Sequence, residues 1–333
     1  MKEPTITDYV ELIHTLFDRF AQAQTATPKQ GHPYIYKNKP LLVFFTLMQF
    51  QYITQFKTQH RWLKTHPQHQ QLLGFKTLPD RSTLSRRYKV LYPTIQALVA
   101  FVGEDVADLE TGFGDKNLYE DKSPFKAAGP VWHQRDRKAG RVPENLRHLD
   151  QDASWCKSAY HKWVYGYGLH LTCSQVGFPK LVQVETGTMS ESQAIDEKEE
   201  AFLKQICPHT LTTDNSYAKA MRIRRWAKAG IALISPATKW TSGGCAQAYH
   251  RFIAQDENQA LLGSRRTAIE PVFDLIAKLV GATDNHKQIS IQGLCNVRTH
   301  LALAVFTLQV AMIANSIWGM PLRTISHIIA ACT

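Results

Sequence analysis

The sequence predicts a mixed α/β domain with flanking helices, preceded by an all-helical N-terminal region. Three observations carry this. The first hundred residues space their apolar side chains at helical intervals. From about residue 105, short β-like runs alternate with helical segments. Two of these runs are neighbours joined by a turn too short for a parallel crossover, so the sheet mixes strand directions. The division that follows is a helical region over residues 1–105 and an α/β region over 106–333.

Within the first region, residues 6–23 place Tyr9, Leu12, Ile13, Leu16, Phe17 and Phe20 on one helical face. The stretch TPKQGHPYIYKNKP, rich in Pro, Gly and Lys, reads as a loop. Leu41 to Phe56 is apolar and aromatic and reads as a buried helix. Residues 59–76 read as two short helices broken at Pro67. In LPDRSTLSRRYKVLYPTIQALVAFV, Asp80 or Ser82 can cap a helix start. Arg81, Arg86, Arg87 and Lys89 crowd the first turns of that helix, a pattern suited to phosphate contact.

In the second region the strand-like runs are Val164–Ser174, Lys180–Glu185, Thr210–Thr213 and Ile231–Ser235. Helical segments over Glu191–Gln205 and Tyr217–Ala229 separate the last three. Near the end, LALAVFTLQVAMIANSIW is apolar enough to suggest a membrane span. Gln309 and Asn315 interrupt it, and the centre of a large domain needs an all-round apolar helix, so a buried core helix is expected.

The 333 residues include 39 Lys+Arg and 28 Asp+Glu, a formal net charge of +11. A globular composition, 44% hydrophobic and 20% charged, argues against a disordered tail protein. The excess positive charge points to a polyanionic partner, most simply nucleic acid. The six cysteines contain no closely spaced pair for zinc or redox chemistry and are expected to be buried thiols in a reducing compartment. The segment MKEPTITDYVELIHTLF carries acids where a secretory signal would carry a basic segment, which leads to an expectation of cytoplasmic location without a membrane partner.

Two acids stand where chemistry can happen. Asp214 follows directly on the run LTTD, at the C-terminal end of a strand, where open α/β sheets place their ligands. Glu270 precedes Pro271, which reads as an early helical position, so Glu270 is expected near a helix N-terminus. Arg266 stands four residues before it and Lys278 eight after, on one face of that helix. Separated carboxylates converging on one sheet face are what a two-metal phosphoryl-transfer site needs, and hard Mg²⁺ prefers oxygen ligands. The cluster of His133, Arg135, Arg137 and Lys138 beside Trp132 is a candidate for phosphate contact and base stacking.

These residues resemble a family. TTDNSYAKAMRIRRWAKAGIALISPA is similar to the second-aspartate block of insertion-sequence DDE transposases, and RRTAIEPVFDLIAKL to their Arg-x-x-x-Glu block. GLCNVRTHLALAV resembles their closing stretch. DKSPFKAAGPVWHQRDRKAG, DQDASW and WVYGYGLHL resemble the region between the first Asp and the second strand, and LPDRSTLSRR a segment of the N-terminal helices. Together these blocks span roughly residues 30–316. Ser216 stands where a Gly is common, and Gly263 where one branch has a Tyr.

The resemblance implies a ribonuclease H-like catalytic domain behind a helical DNA-binding region. It implies a bacterial, nucleoid-associated enzyme that cleaves DNA at the ends of an insertion element and transfers the strand to target DNA. Mg²⁺ or Mn²⁺, two ions, would be held by Asp121, Asp214 and Glu270, with Asp150 and Asp152 as alternatives to Asp121. Arg81, Arg86, Arg87, His133, Arg135, Arg137, Lys138, Arg266 and Lys278 would contact double-stranded DNA, and the reading admits a homodimer on it. A nuclease that only hydrolyses, and a catalytically dead DNA-binding relative, are the rival readings.

Overall fold

A computed structural model of the chain describes residues 4–24, 34–144, 146–158, 162–236, 243–285 and 287–332. Six helices come first: α1 (Ile6–Ala23), α2 (Asn38–Phe50), α3 (Phe56–Thr65), α4 (Pro67–Leu72), α5 (Arg81–Tyr88) and α6 (Tyr92–Asp105). Pro67 opens α4, where its missing N–H costs nothing. The loop expected before α2 lies partly outside the described residues. The helix expected from residue 80 is two helices, because α5 ends at Tyr88 and α6 begins afresh at Tyr92. Asp80 occupies the N-cap position of α5 but makes no side-chain capping bond.

The sheet has six strands: β1 (Asn117–Lys126), β2 (Ser154–Ser158), β3 (Lys162–Cys173), β4 (Pro179–Thr186), β5 (Thr210–Thr212) and β6 (Ala232–Ile234). Its order is β2-β3-β1-β5-β6, with β4 also paired to β3. β1, β3 and β4 run antiparallel, and β5 and β6 run parallel to β1. This is the ribonuclease H-like arrangement that the sequence resemblance implies. β3 turns into β4 through Ser174–Phe178, closed by the Ser174 N–H donating to the Phe178 carbonyl. Gly177 lies in that turn at φ +79°, and a Cβ there would meet Val272 at 2.7 Å. The turn therefore packs flush on the helix that carries Val272.

The remaining helices are α7 (Gln134–Lys138), α8 (Glu191–Ala201), α9 (Ala220–Lys228), α10 (Gly244–Ile253), α11 (Asp256–Leu279), α12 (Leu294–Ile317) and α13 (Ser326–Cys332). α8 runs on into a π-helical turn, Phe202–Ile206. α12 is long and apolar enough to cross a membrane, with mean hydropathy 1.6, yet 89% of that window is buried within the molecule. It packs against α1, α2, α6, α11 and β4. Gln309, the polar interruption in the apolar run, donates to the Val99 and Pro179 carbonyls and so joins α6 to the start of β4. One apolar core therefore runs from Tyr9 and Phe44 through Val182 to Ile313.

Two further expectations are corrected. Glu270 does not lie near a helix N-terminus, for α11 begins at Asp256 and carries Pro271 in its interior. A proline there leaves the carbonyl four residues back without its helical donor. That carbonyl belongs to Thr267, and the Arg323 guanidinium donates to it at 2.9 Å. The cysteines also divide: Cys156, Cys173 and Cys332 are buried, but Cys207, Cys245 and Cys295 are exposed.

Candidate active site

Asp121 lies on β1 and Asp214 just past β5. The parallel register pairs Tyr119 with Thr212. Carrying each strand on by two residues sets Asp121 beside Asp214, on neighbouring strands about 4.8 Å apart. The backbone permits this, because Asp214 is itself extended (φ −78°, ψ −179°) and the Thr213 N–H still donates to Ile234 of β6. Beyond Asp214 the chain turns sharply. Its carboxylate accepts from the Ser216 N–H at 2.8 Å and from the Ser216 hydroxyl at 2.5 Å.

A third acid comes from α8. The Ser216 hydroxyl is also hydrogen-bonded to Glu191, the first residue of that helix. Ser190 and Gln193 form a capping box that sets the helix start. Lys122 fixes its position relative to β1, donating to the Gly187 and Met189 carbonyls at 3.0 and 2.7 Å. The lysine that follows Asp121 thus holds the approach to α8.

α11 supplies the countercharge. Ser264 is hydrogen-bonded to the Tyr119 hydroxyl at 2.8 Å, which docks the helix on β1. One residue on, Arg265 meets Asp121 Oδ2 at 2.5 Å, while Asp121 Oδ1 accepts the Lys122 N–H at 2.8 Å. Burial nevertheless pushes Asp121 up to about 7. Arg265 and the Lys122 N–H oppose that shift, and the charges of Asp214 and Glu191 add to it. Burial also raises Glu191, against the Ser216 hydrogen bond and with the push of Asp214.

A family model of the transposase DDE domain matches residues 121–288, half of the chain, and the match begins on Asp121. The chain belongs to the transposase DDE domain family. No curated protein and no solved structure matches it. Membership gives this transposase domain a DNA substrate and a function of the transposase type, and the family generally uses divalent metal ions. The donor set suits such ions, because Asp121, Asp214 and Glu191 offer hard carboxylate oxygens. Among the described residues, no three metal-binding side chains stand together as a closed ligand set. Of the three carboxylates, Asp121 and Asp214 are the two that lie on or just past neighbouring strands of the sheet.

Glu270 faces a different side of α11 from Arg265, the residue that meets Asp121. Five residues separate it from Arg265, which turns it about 140° round the helix. Its side chain is 47% exposed, and its ion-pair partner is Arg266 at 3.7 Å. Lys278 lies on the same outer stripe, exposed. Asp150 and Asp152 serve α12 instead. Asp150 accepts from the Tyr167 hydroxyl and the Gly293 N–H, and Asp152 from the Leu294 N–H.

Of the basic residues in the transposase's helical region, Arg81 and Arg86 are exposed on α5. Arg87 is a correction: it is 6% exposed, bonded to Asn38 and stacked on Tyr34 at 3.6 Å, so it is committed to packing and is not free for phosphate. His133, Arg135 and Lys138 are exposed around α7, while Arg137 lies over the packed ring of Trp132. Sequence reasoning missed Glu191 and Arg265. The capping pattern SESQ marks where Glu191 begins its helix, but nothing local to either residue points at the site.

Proposed function

We propose that the protein cleaves DNA at the ends of a mobile element and transfers the strand to target DNA, with Mg²⁺ or Mn²⁺ held by Asp121 and Asp214. The observation that carries this reading is the β1–β5 register, which, continued two residues past the Tyr119–Thr212 pair, sets Asp121 in the middle of β1 beside Asp214 just past the C-terminal end of β5. Two such ions would supply nucleophile activation and stabilisation of the leaving oxygen. Glu270 as the third ligand rests on the resemblance alone.

The chain's own residues do the rest. Lys122 and Ser216 hold Glu191 against the pair, which adds negative charge where a cation is to be bound. Arg81 and Arg86 on α5, and His133, Arg135, Arg137 and Lys138 around α7, are the proposed phosphate contacts. Phosphate contacts of this kind fix the position of DNA without reading its sequence. Arg266 and Lys278 on the outer face of α11 would add to them. We assign DNA binding chiefly to residues 1–105 and catalysis to 106–333, and place the protein on the nucleoid of a bacterial cytoplasm.

The test uses a duplex carrying an element end, with Mg²⁺. The wild-type chain should cut it and join the released 3′ end to a second duplex. Asp121→Asn and Asp214→Asn should each lose both reactions by about a thousandfold or more, since the metal supplies several kcal/mol of transition-state stabilisation. Binding of the duplex should persist, because Lys and Arg contacts supply most of that affinity. Hydrolysis without joining would make the protein a nuclease, and an inert wild type would make it a DNA-binding relative. Glu270→Gln in the same assay decides the third ligand.

A further inference from the structure

α11 brings two adjacent arginines to the site, and they differ in kind. Arg266 points outward, 71% exposed, at 3.7 Å from Glu270. Arg265 points inward, 17% exposed, and lies on Asp121 at 2.5 Å. Both oxygens of Asp121 are thereby engaged: Oδ1 by the Lys122 N–H, which the strand holds in place, and Oδ2 by a flexible side chain. A cation bound through Asp121 Oδ2 competes with the guanidinium that holds that oxygen. Two cations on one carboxylate oxygen repel strongly where water screens them little.

We infer that Arg265 guards Asp121 as a positioning residue, yielding Oδ2 to a divalent cation when a DNA phosphate takes its guanidinium in exchange. The inference rests on the reading that Asp121 and Asp214 hold the ion. The exchange is chemically matched, since the guanidinium fork bonds phosphate as well as carboxylate. The exposed stripe of the same helix carries Arg266 and Lys278 interleaved with Glu270 and Asp274, so its charge is mixed and the exchange rests on Arg265 itself. Coupling of this kind is reciprocal: DNA tightens metal binding by the factor with which metal tightens DNA binding. The consequence is a site that charges with metal on DNA and resists it elsewhere.

The test measures Mn²⁺ binding calorimetrically to the full chain, with and without a short duplex. The duplex itself binds Mn²⁺, so the readout is the difference between chains. Without DNA, Arg265→Gln should bind Mn²⁺ about tenfold more tightly than wild type, within the usual range of coupling between sites. Adding the duplex should tighten wild type by a similar factor and leave Arg265→Gln nearly unchanged. Arg265→Lys, which keeps the charge, should restore weak binding without DNA, and thermal melts show that each variant is folded. Equal affinities for wild type and Arg265→Gln, with the metal still lost in Asp121→Asn, would overturn the guarding role alone. Mn²⁺ binding indifferent to Asp121→Asn and Asp214→Asn would overturn the carboxylate site and the inference with it.

Discussion

Burial and two neighbouring carboxylates push Asp121 up to about 7, even with a guanidinium on it. In the unfolded chain an aspartate titrates near 3.9, so between roughly pH 4 and 7 the native state binds the extra proton. Stability rises with pH only where the unfolded state binds more protons, and here it binds fewer. This residue's contribution therefore falls as pH rises through that window and levels off above it. The slope reaches at most about 1.4 kcal/mol per pH unit. Urea unfolding in the presence of a chelator, run from pH 4 to 8, should show wild type losing stability relative to Asp121→Asn across the window. Parallel curves would mean that Asp121 titrates as an ordinary surface acid. A bound divalent cation would cancel the effect, because it stabilises the charged form.

At the scale of the element, α5 separates exposed from buried basic groups within two turns. Arg81 and Arg86 face solvent, and Arg87 is turned inward with Leu84 and Tyr88. Neutralising Arg81 or Arg86 should weaken binding to all duplexes alike and reduce the slope of log K against log salt by about 0.9 per lost contact. Arg87→Ala should leave the slope unchanged and lower the melting temperature, since it strips a largely buried group from Asn38 and Tyr34. A slope change in Arg87→Ala would show that the helix presents another face to DNA. The same helix shows what local sequence conveys. Its charge was legible, but which arginine faces inward depends on packing against other helices. Asp214 was legible because a β-branched, threonine-rich run ends on it. β1 was harder to read, because it buries Glu120 against Lys198 of α8, where periodicity looks for an apolar residue. Glu191 and Arg265 reach the site only through the approach of α8 and α11 to the sheet. Pro271 misled in the same way: the donor that makes it tolerable inside α11 comes from Arg323, far along the chain.

Across the whole molecule, α12 faces the N-terminal helices on one side and the sheet on another. Expressed without residues 1–105, the rest of the chain would bare the surface that α1, α2 and α6 cover and would lose the Gln309 bond to Val99. Such a fragment should aggregate, or bind a hydrophobic dye and melt without a sharp transition. A soluble fragment with a cooperative melt would establish 106–333 as a unit that folds alone. The bond between Arg323 and Thr267 sets an order in time as well as in space. A ribosome makes α11 and α12 before it reaches residue 323, so the helix that carries Arg265 emerges with its proline unsupported. Until Arg323 is made, the Thr267 carbonyl lacks its donor and α11 lacks a tie to the turn between β3 and β4, so the helix that carries Arg265 should settle against the sheet only after that residue has been added.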